Sequence, residues 1–254
     1  MKLLQDRSAI ITGGGTPGGI GRATARLFAE HGARVAILDL AETDPAAAAA
    51  EIGPEHQGYV CDVRDGAACR ATVEQVAVSF GRIDVLIGNA GVVHGTRIDD
   101  ITRAEYDEVV DTSLRGNFQM SQAVIPHLRA RGAGAGAGTI VLVSSIAGQV
   151  GGGLFGSSHY AAAKSGIFGL AKALARELAP DGIRANAIAP GVIDNDFTKG
   201  RMTREIKDEI AKKVPLGRLG TSEEVAKCCL FLASDLSSYV TGIVLSVNGG
   251  LLIA

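Results

Sequence analysis

An α/β fold, a doubly wound parallel sheet of about seven strands with helices on both faces, is the architecture this sequence predicts. Three observations carry it. Strand-like and helix-like patterns alternate along the chain, several strands are unbroken apolar runs, and the first strand leads through a glycine-rich turn straight into a helix. Unbroken apolar runs suit strands covered on both faces, and the alternation requires right-handed crossovers between parallel neighbours.

Ser8 to Thr12 is a short apolar strand, and residues 20 to 31 follow as a helix with apolar positions at Ile20, Ala23, Leu27 and Phe28. Arg34 to Leu38 forms the second strand, ending at Asp39. An alanine-rich helix then leads to a third strand around Gly58 to Cys61, and Ala67 to Phe80 is helical. Strand Ile83 to Ile87 precedes one long helical stretch from about Thr102 to Leu128. Strand Ile140 to Val143, helix Tyr160 to Leu178, and strands Ile183 to Ile188 and Ile243 to Val247 complete the series. No linker divides it, so a single domain over residues 1 to 254 is expected. The low-complexity run Gly132 to Gly138 reads as a mobile surface loop.

Composition narrows the function. Hydrophobic residues at 46% with 20% charged exclude wholesale disorder. Lys and Arg number 25 against 27 Asp and Glu, net −2, with no basic run, which argues against nucleic acid or a membrane surface as partner. Met1 to Arg7 meets charge before any apolar h-region and later apolar runs are too interrupted to span a bilayer, so a cytoplasmic location is expected. Cys61, Cys69, Cys228 and Cys229 lack C-x-x-C spacing; they read as buried small hydrophobes, and no metal site is expected.

Thr12-Gly13-Gly14-Gly15-Thr16-Pro17-Gly18-Gly19-Ile20-Gly21 fills the first strand-to-helix turn, where a pyrophosphate meets backbone amides and a helix N-terminus unobstructed by Cβ atoms. Gly13, Thr16, Gly19, Ile20 and Gly21 are the candidate phosphate-loop residues. Asp39 stands 18 residues beyond Gly21, where a carboxylate accepts from ribose hydroxyls and repels a 2′-phosphate; this points to NAD over NADP. A cap on the next helix is its competing role. Asp62 offers an acceptor to an adenine amino group, or an ordinary turn residue.

Tyr160 and Lys164 are one helical turn apart on the same face. Lowering a phenol by two or three pH units needs roughly 3 to 4 kcal/mol, about what one charge at ~4 Å supplies at an effective dielectric near 20. The lysine is therefore expected to favour the phenolate. Ser145 ends a strand at the carboxyl edge of the sheet, where its hydroxyl can polarise a carbonyl oxygen. Together the three suit hydride transfer to or from a nicotinamide, with Tyr160 moving the proton.

With these motifs the chain resembles the classical short-chain dehydrogenases/reductases over nearly its whole length. The resemblance extends to Cys61-Asp62-Val63, Gly88-Asn89-Ala90-Gly91, Pro190-Gly191, Pro215-Leu216-Gly217-Arg218 and Val247-Asn248-Gly249-Gly250. It implies Tyr160 as acid/base, Lys164 as its tuner and ribose ligand, Ser145 as oxyanion partner, Asp62 and Val63 on adenine, Asn89 and Gly91 along the cofactor, and the Ile193 backbone at the carboxamide. Asn195 stands where the family usually has Thr, and its amide can reach the cofactor. A substrate lid near residues 194 to 213, with Phe197 and Met202, and a homotetramer are also implied.

Four departures mark this chain. The glycine turn is two residues longer than T-G-x-x-x-G-x-G, so Gly13 or Gly15 takes the first glycine's part. Ser145 to Tyr160 is two residues longer than usual, the excess falling in Gly151 to Gly156 at the substrate entrance, with Phe155. Ser113 occupies the position of the family's Asn, which supports a proton-relaying water, and is expected to keep a modified relay. Asp181, before Gly182, stands where carrier-protein reductases often show a basic residue. His94 and His159 are candidate substrate contacts, with loop or packing roles as their competing readings. The expected activity is NAD-dependent oxidation of a secondary alcohol, polyol, sugar or cyclic diol to the ketone. The alternatives are an NADPH-dependent 3-oxoacyl thioester reductase and, more remotely, a non-catalytic nucleotide sensor.

Overall fold

The structure, a computed structural model, describes residues 2–130, 138–153, 155–198 and 200–253. Seven parallel strands form one sheet: β1 (Ser8–Thr12), β2 (Arg34–Asp39), β3 (Gln57–Val60), β4 (Val85–Gly88), β5 (Gly138–Val143), β6 (Ile183–Pro190) and β7 (Val244–Val247), in the order β3-β2-β1-β4-β5-β6-β7. The helices are α1 (Ile20–Glu30), α2 (Pro45–Ala50), α3 (Gly66–Phe80), α4 (Arg103–Val110), α5 (Gly116–Arg129), α6 (Ala147–Val150), α7 (Ser158–Leu178), α8 (Arg204–Ala211) and α9 (Ser222–Ala233). Residues 132–137 of the glycine-alanine run lie outside the described residues, while Gly138 opens β5.

Two cores explain the unbroken apolar strands. Neighbouring residues of a strand face opposite sides. Ile10 joins Val73 and Val76 of α3, Met120 and Val124 of α5 and Ile167 of α7, whereas Ile11 joins Ala25 and Phe28 of α1 and Val225 and Leu230 of α9. A polar residue at either position would face packed hydrocarbon, so period-two alternation is absent. Among the described residues no helix is long and apolar enough to cross a membrane.

The expected single helix over residues 102–128 is broken. Residues Asp111–Arg115 form one wide π turn between α4 and α5, with the Gly116 N–H donating to the Asp111 carbonyl five residues back. A helical pattern persists on either side of such a turn because the backbone stays helical through it, while one inserted residue rotates the following face by about 100°. Its effect is to turn Ser113 fully inward.

Candidate active site

The strand order reverses between β1 and β4, and the loops leaving their carboxyl ends bound the crevice where ligands of open α/β sheets bind. Gly13 adopts φ +66°, and its N–H donates to the Leu38 carbonyl at 2.8 Å. A Cβ on Gly13 would stand 2.9 Å from the Ala90 Cα, and one on Gly21 would overlap the Gly13 carbonyl oxygen. Asn89 Nδ2 donates to the Thr12 and Gly13 carbonyls at 3.0 Å each, while Thr12 Oγ1 accepts from the Asn89 and Ala90 amides, also at 3.0 Å. Gly13 and Gly21 thus form the close-packed pair of the turn. Gly15 has a different task, seated on Asp39 and Thr43, where a Cβ would strike Thr43 Oγ1.

Gly19 caps α1 without a side-chain acceptor, and no acid stands in the first turn. The leading amides and the positive end of the helix dipole are therefore left for an anion. Arg22 was not foreseen. Buried in the first turn of α1, it donates from Nε to the Gly14 carbonyl (2.9 Å) and from Nη2 to the Gly15 carbonyl (2.6 Å), and pairs through Nη1 with Glu51 (2.6 Å). A cation where the helix dipole disfavours one was the sequence signal.

Asp39 Oδ2 accepts from the Gly15 amide and Oδ1 from the Leu40 amide, each at 2.8 Å. It caps no helix: the side chain of Asp44 caps α2, accepting from the Ala47 amide. Its carboxylate is thereby held at the β2 edge beside the glycine turn. Glycine turn, uncapped helix start and edge carboxylate fit a dinucleotide. Asp62 is gripped by Arg64, whose Nη2 lies 2.6 Å from Oδ2 and whose Nε lies about equally near both oxygens, at 3.0 and 2.9 Å. That guanidinium holds the Asp62 carboxyl below the usual range, and any adenine amino group must share the carboxylate with it. The buried Val63 beside it has its carbonyl anchored by Gln119 Nε2 at 3.0 Å, a support the sequence did not reveal.

Ser145, Tyr160 and Lys164 converge, Ser145 from the end of β5 and the other two from α7. Ser145 Oγ accepts from the Ala147 amide at 3.1 Å and hydrogen-bonds the Tyr160 phenol. Lys164 Nζ donates to the Val143 carbonyl at 3.1 Å and stands 5.7 Å from the centre of the Tyr160 ring. The expectation that Lys164 lowers the phenol is corrected here. Burial pushes Tyr160 up to about 12 against the pull of Ser145, and burial pushes Lys164 itself down to about 8. Burial dominates for both side chains, and the ammonium is directed to the Val143 carbonyl.

A folding consequence follows for Lys164. Its folded pKa lies below the ordinary 10.5, so between pH 8 and 10.5 the unfolded chain holds the extra proton and stability from this group rises with pH. The burial cost at pH 7 is at most roughly 3 kcal/mol. Lys164→Met, assayed by urea unfolding without added nucleotide, is expected to exceed wild type in stability at pH 7, with the gap closing toward pH 10.5. A gap independent of pH would mean that Lys164 folds without a desolvation penalty.

Ser113 Oγ is wholly buried and, among the described residues, has no hydrogen-bond partner. A Cβ on Gly91 would stand 3.3 Å from that oxygen and 3.2 Å from Lys164 Nζ, so the bare backbone of Gly91 is what separates the two groups. Asn117 sits one turn on, and its Nδ2 donates to the Ser113 carbonyl at 2.6 Å rather than facing Lys164.

On the substrate side the predicted residues divide. Phe155 is half-buried, and its neighbour Gly156 seats the Tyr160 ring. His159 is turned away from an open face: its buried imidazole lies 3.3 Å from Glu105 of α4 and stacks on His94, which meets Glu108 at 3.0 Å. Burial lowers the His159 pKa. Of the two readings of His159 the structure favours packing, because α4 covers the start of α7. Ile193 is buried and bridges to Gly220. Asn195 Nδ2 donates to Ser222 Oγ at 3.3 Å, and Ser222 Oγ donates to the Gly18 carbonyl at 2.8 Å, tying residues after β6 to the glycine turn. The stretch expected as a lid holds the short helical turn Asp196–Thr198 and α8.

Residues 13–252 match a family model described as enoyl-(acyl carrier protein) reductase. The chain is 46% identical over 255 residues, 99% of each chain, to an uncharacterized short-chain type dehydrogenase/reductase of Sinorhizobium fredii. It is 43% identical over 254 residues, 98% of each, to a 3-oxoacyl-(acyl-carrier-protein) reductase of Chlamydia muridarum, and 39% identical to one of Thermotoga maritima, covering 98% of this chain and 99% of that one.

Proposed function

The chain belongs to the short-chain dehydrogenase/reductase family of nicotinamide-dependent oxidoreductases, and from that premise we propose that it interconverts a secondary alcohol and its ketone with NAD. The observation that carries the cofactor choice is Asp39, a carboxylate held by two backbone amides at the β2 edge. An anion there opposes a 2′-phosphate. A bound nicotinamide would supply hydride acceptance and donation. Gly13, Thr16, Gly19, Ile20 and Gly21 would bind its phosphates, Asp39 the ribose, Asp62 and Val63 the adenine, and Asn89, Gly91, Ile193 and Asn195 the remainder.

Tyr160 gives its proton to the forming alkoxide or takes the alcohol proton, Ser145 donates to the same oxygen, and Lys164 offers its ammonium beside them. Ser113 faces Lys164 across Gly91 and continues the proton path. Ser113→Ala is expected to lower turnover about tenfold with unchanged KM for NAD, the size of one lost relay contact; wild-type turnover in stopped-flow assays would remove Ser113 from the path. The protein is proposed to act as a cytoplasmic homotetramer, which light scattering tests.

The second reading, 3-oxoacyl thioester reduction with NADPH, is favoured by the names of the Chlamydia and Thermotoga relatives. Asp39 opposes its cofactor, and the position where carrier-protein reductases often show a basic residue holds Asp181, which pairs with Arg129 at 2.7 Å. Nicotinamide absorbance decides between the two. Secondary alcohols and polyols with NAD are expected to turn over, and activity confined to oxoacyl thioesters with NADPH would replace the first reading with the second.

A further inference from the structure

The substrate entrance holds a cation that the reaction itself does not use. Arg201, exposed just before α8, is fixed on three sides: Nε donates to the Thr198 carbonyl at 2.9 Å, Nη2 donates to the Val93 carbonyl at 3.2 Å, and the guanidinium carbon lies 5.7 Å from the centre of the Phe155 ring. Nη1 has no hydrogen-bond partner among the described residues. It borders Gly95, where a Cβ would stand 3.7 Å away.

The neighbouring carboxylates are directed elsewhere. Asp194 pairs with Lys207 at 2.7 Å, Asp196 accepts the Gly200 amide at 2.9 Å, and Glu108 meets His94 at 3.0 Å. Among the described residues no acid lies within ion-pair distance of Arg201, so its charge is neutralised by dipoles and an aromatic face only. A guanidinium immobilised in this way has already lost much of the rotamer freedom that an anion would otherwise have to freeze out. Its site is also close to the chemistry, since Gly156, next to Phe155, seats the ring of Tyr160.

Resting on the reading that Tyr160 and its neighbours reduce or oxidise a substrate here, we propose that Arg201 determines specificity by holding an anionic group of that substrate, a carboxylate or a phosphate ester, at the entrance. The substrate class is then a hydroxy acid or a phosphorylated alcohol, with its ketone. Donation from Nη1 to the anion is charge-assisted and directional, which a neutral polyol cannot match.

Matched pairs test this: 3-hydroxybutanoate against its methyl ester, and glycerol 3-phosphate against glycerol, added with NAD at constant ionic strength while thermal unfolding is followed. In wild type the anionic member of at least one pair is expected to raise the melting temperature more than its neutral partner, and the responding pair identifies the anion. Arg201→Gln, which removes the charge and keeps one amide donor near the position of Nε, is expected to abolish that difference, and Arg201→Lys to retain part of it. For whichever anionic compound turns over, KM is expected to rise about 10- to 100-fold in Arg201→Gln, with KM for its neutral partner unchanged.

Equal responses within both pairs, including no response at all, would overturn the proposal. So would a difference that survives Arg201→Gln, or a parallel rise of KM for charged and neutral compounds, which would mark Arg201 as a brace of the loop only. Tyr160→Phe is expected to keep the anion-dependent shift while losing turnover, so failure of the catalytic reading is told apart from failure of the anion site.

Discussion

Tyr160→Phe is expected to lower turnover by about 10²- to 10⁴-fold while leaving the affinity for NAD within a few-fold of wild type. Removing one oxygen deletes the phenol that hydrogen-bonds Ser145 from α7 and carries an exchangeable proton beside it. The ring remains seated on Gly156, so the pocket keeps its shape. Stopped-flow absorbance of reduced nicotinamide measures the first quantity and nucleotide titration the second. Turnover near wild type would remove Tyr160 as proton carrier. The pH profile supplies an independent check. Burial holds the phenol up at about 12, so alcohol oxidation, which needs the phenolate, is expected to climb with pH toward 12, while ketone reduction, which needs the neutral phenol, stays level until the pH approaches 12. Tyr160→Phe is expected to flatten both.

The second large effect concerns cofactor choice. The pair Asp39→Ser and Leu40→Arg is expected to raise the ratio of kcat/KM for NADP to that for NAD by about 10²- to 10³-fold, from removal of a like charge and gain of a guanidinium for the 2′-phosphate. Leu40 is partly exposed, so the longer side chain is tolerated. Asp39 also anchors the Gly15 amide, and a serine lets that contact go. Asp39→Asn separates the two roles: it keeps an acceptor for Gly15 and removes the charge. A shift toward NADP in Asp39→Asn alone is expected from the electrostatic account. A loss of both activities without change in their ratio would mean that Asp39 shapes the turn and does not select the nucleotide.

Periodicity and local chemistry made most of the architecture readable in advance. All seven strands begin and end within two residues of the positions read from the sequence, and for the central ones the reason is that a strand covered on both faces needs apolar side chains at every position. The turn from Thr12 to Gly21 and the pair Tyr160 and Lys164 were equally legible, since each is built from residues close in sequence. The π turn was not. It leaves the apolar spacing of α4 and α5 intact and shows itself only as a rotation that buries Ser113.

What the amino-acid sequence determined by itself is therefore the sheet, the glycine-rich turn, the edge carboxylate and the residue types that meet as Ser145, Tyr160 and Lys164. Tertiary structure alone decided which glycine closes the turn, that Arg22 braces it, that Arg64 shares Asp62, and that His159 packs against Glu105 instead of facing substrate. It also set the burial of Tyr160 and Lys164, and it brought Arg201, Val93 and Phe155 together. Spacing along one helix or strand follows from fixed rise and rotation per residue. Desolvation and the convergence of side chains from separate elements depend on how those elements pack, which no local pattern encodes.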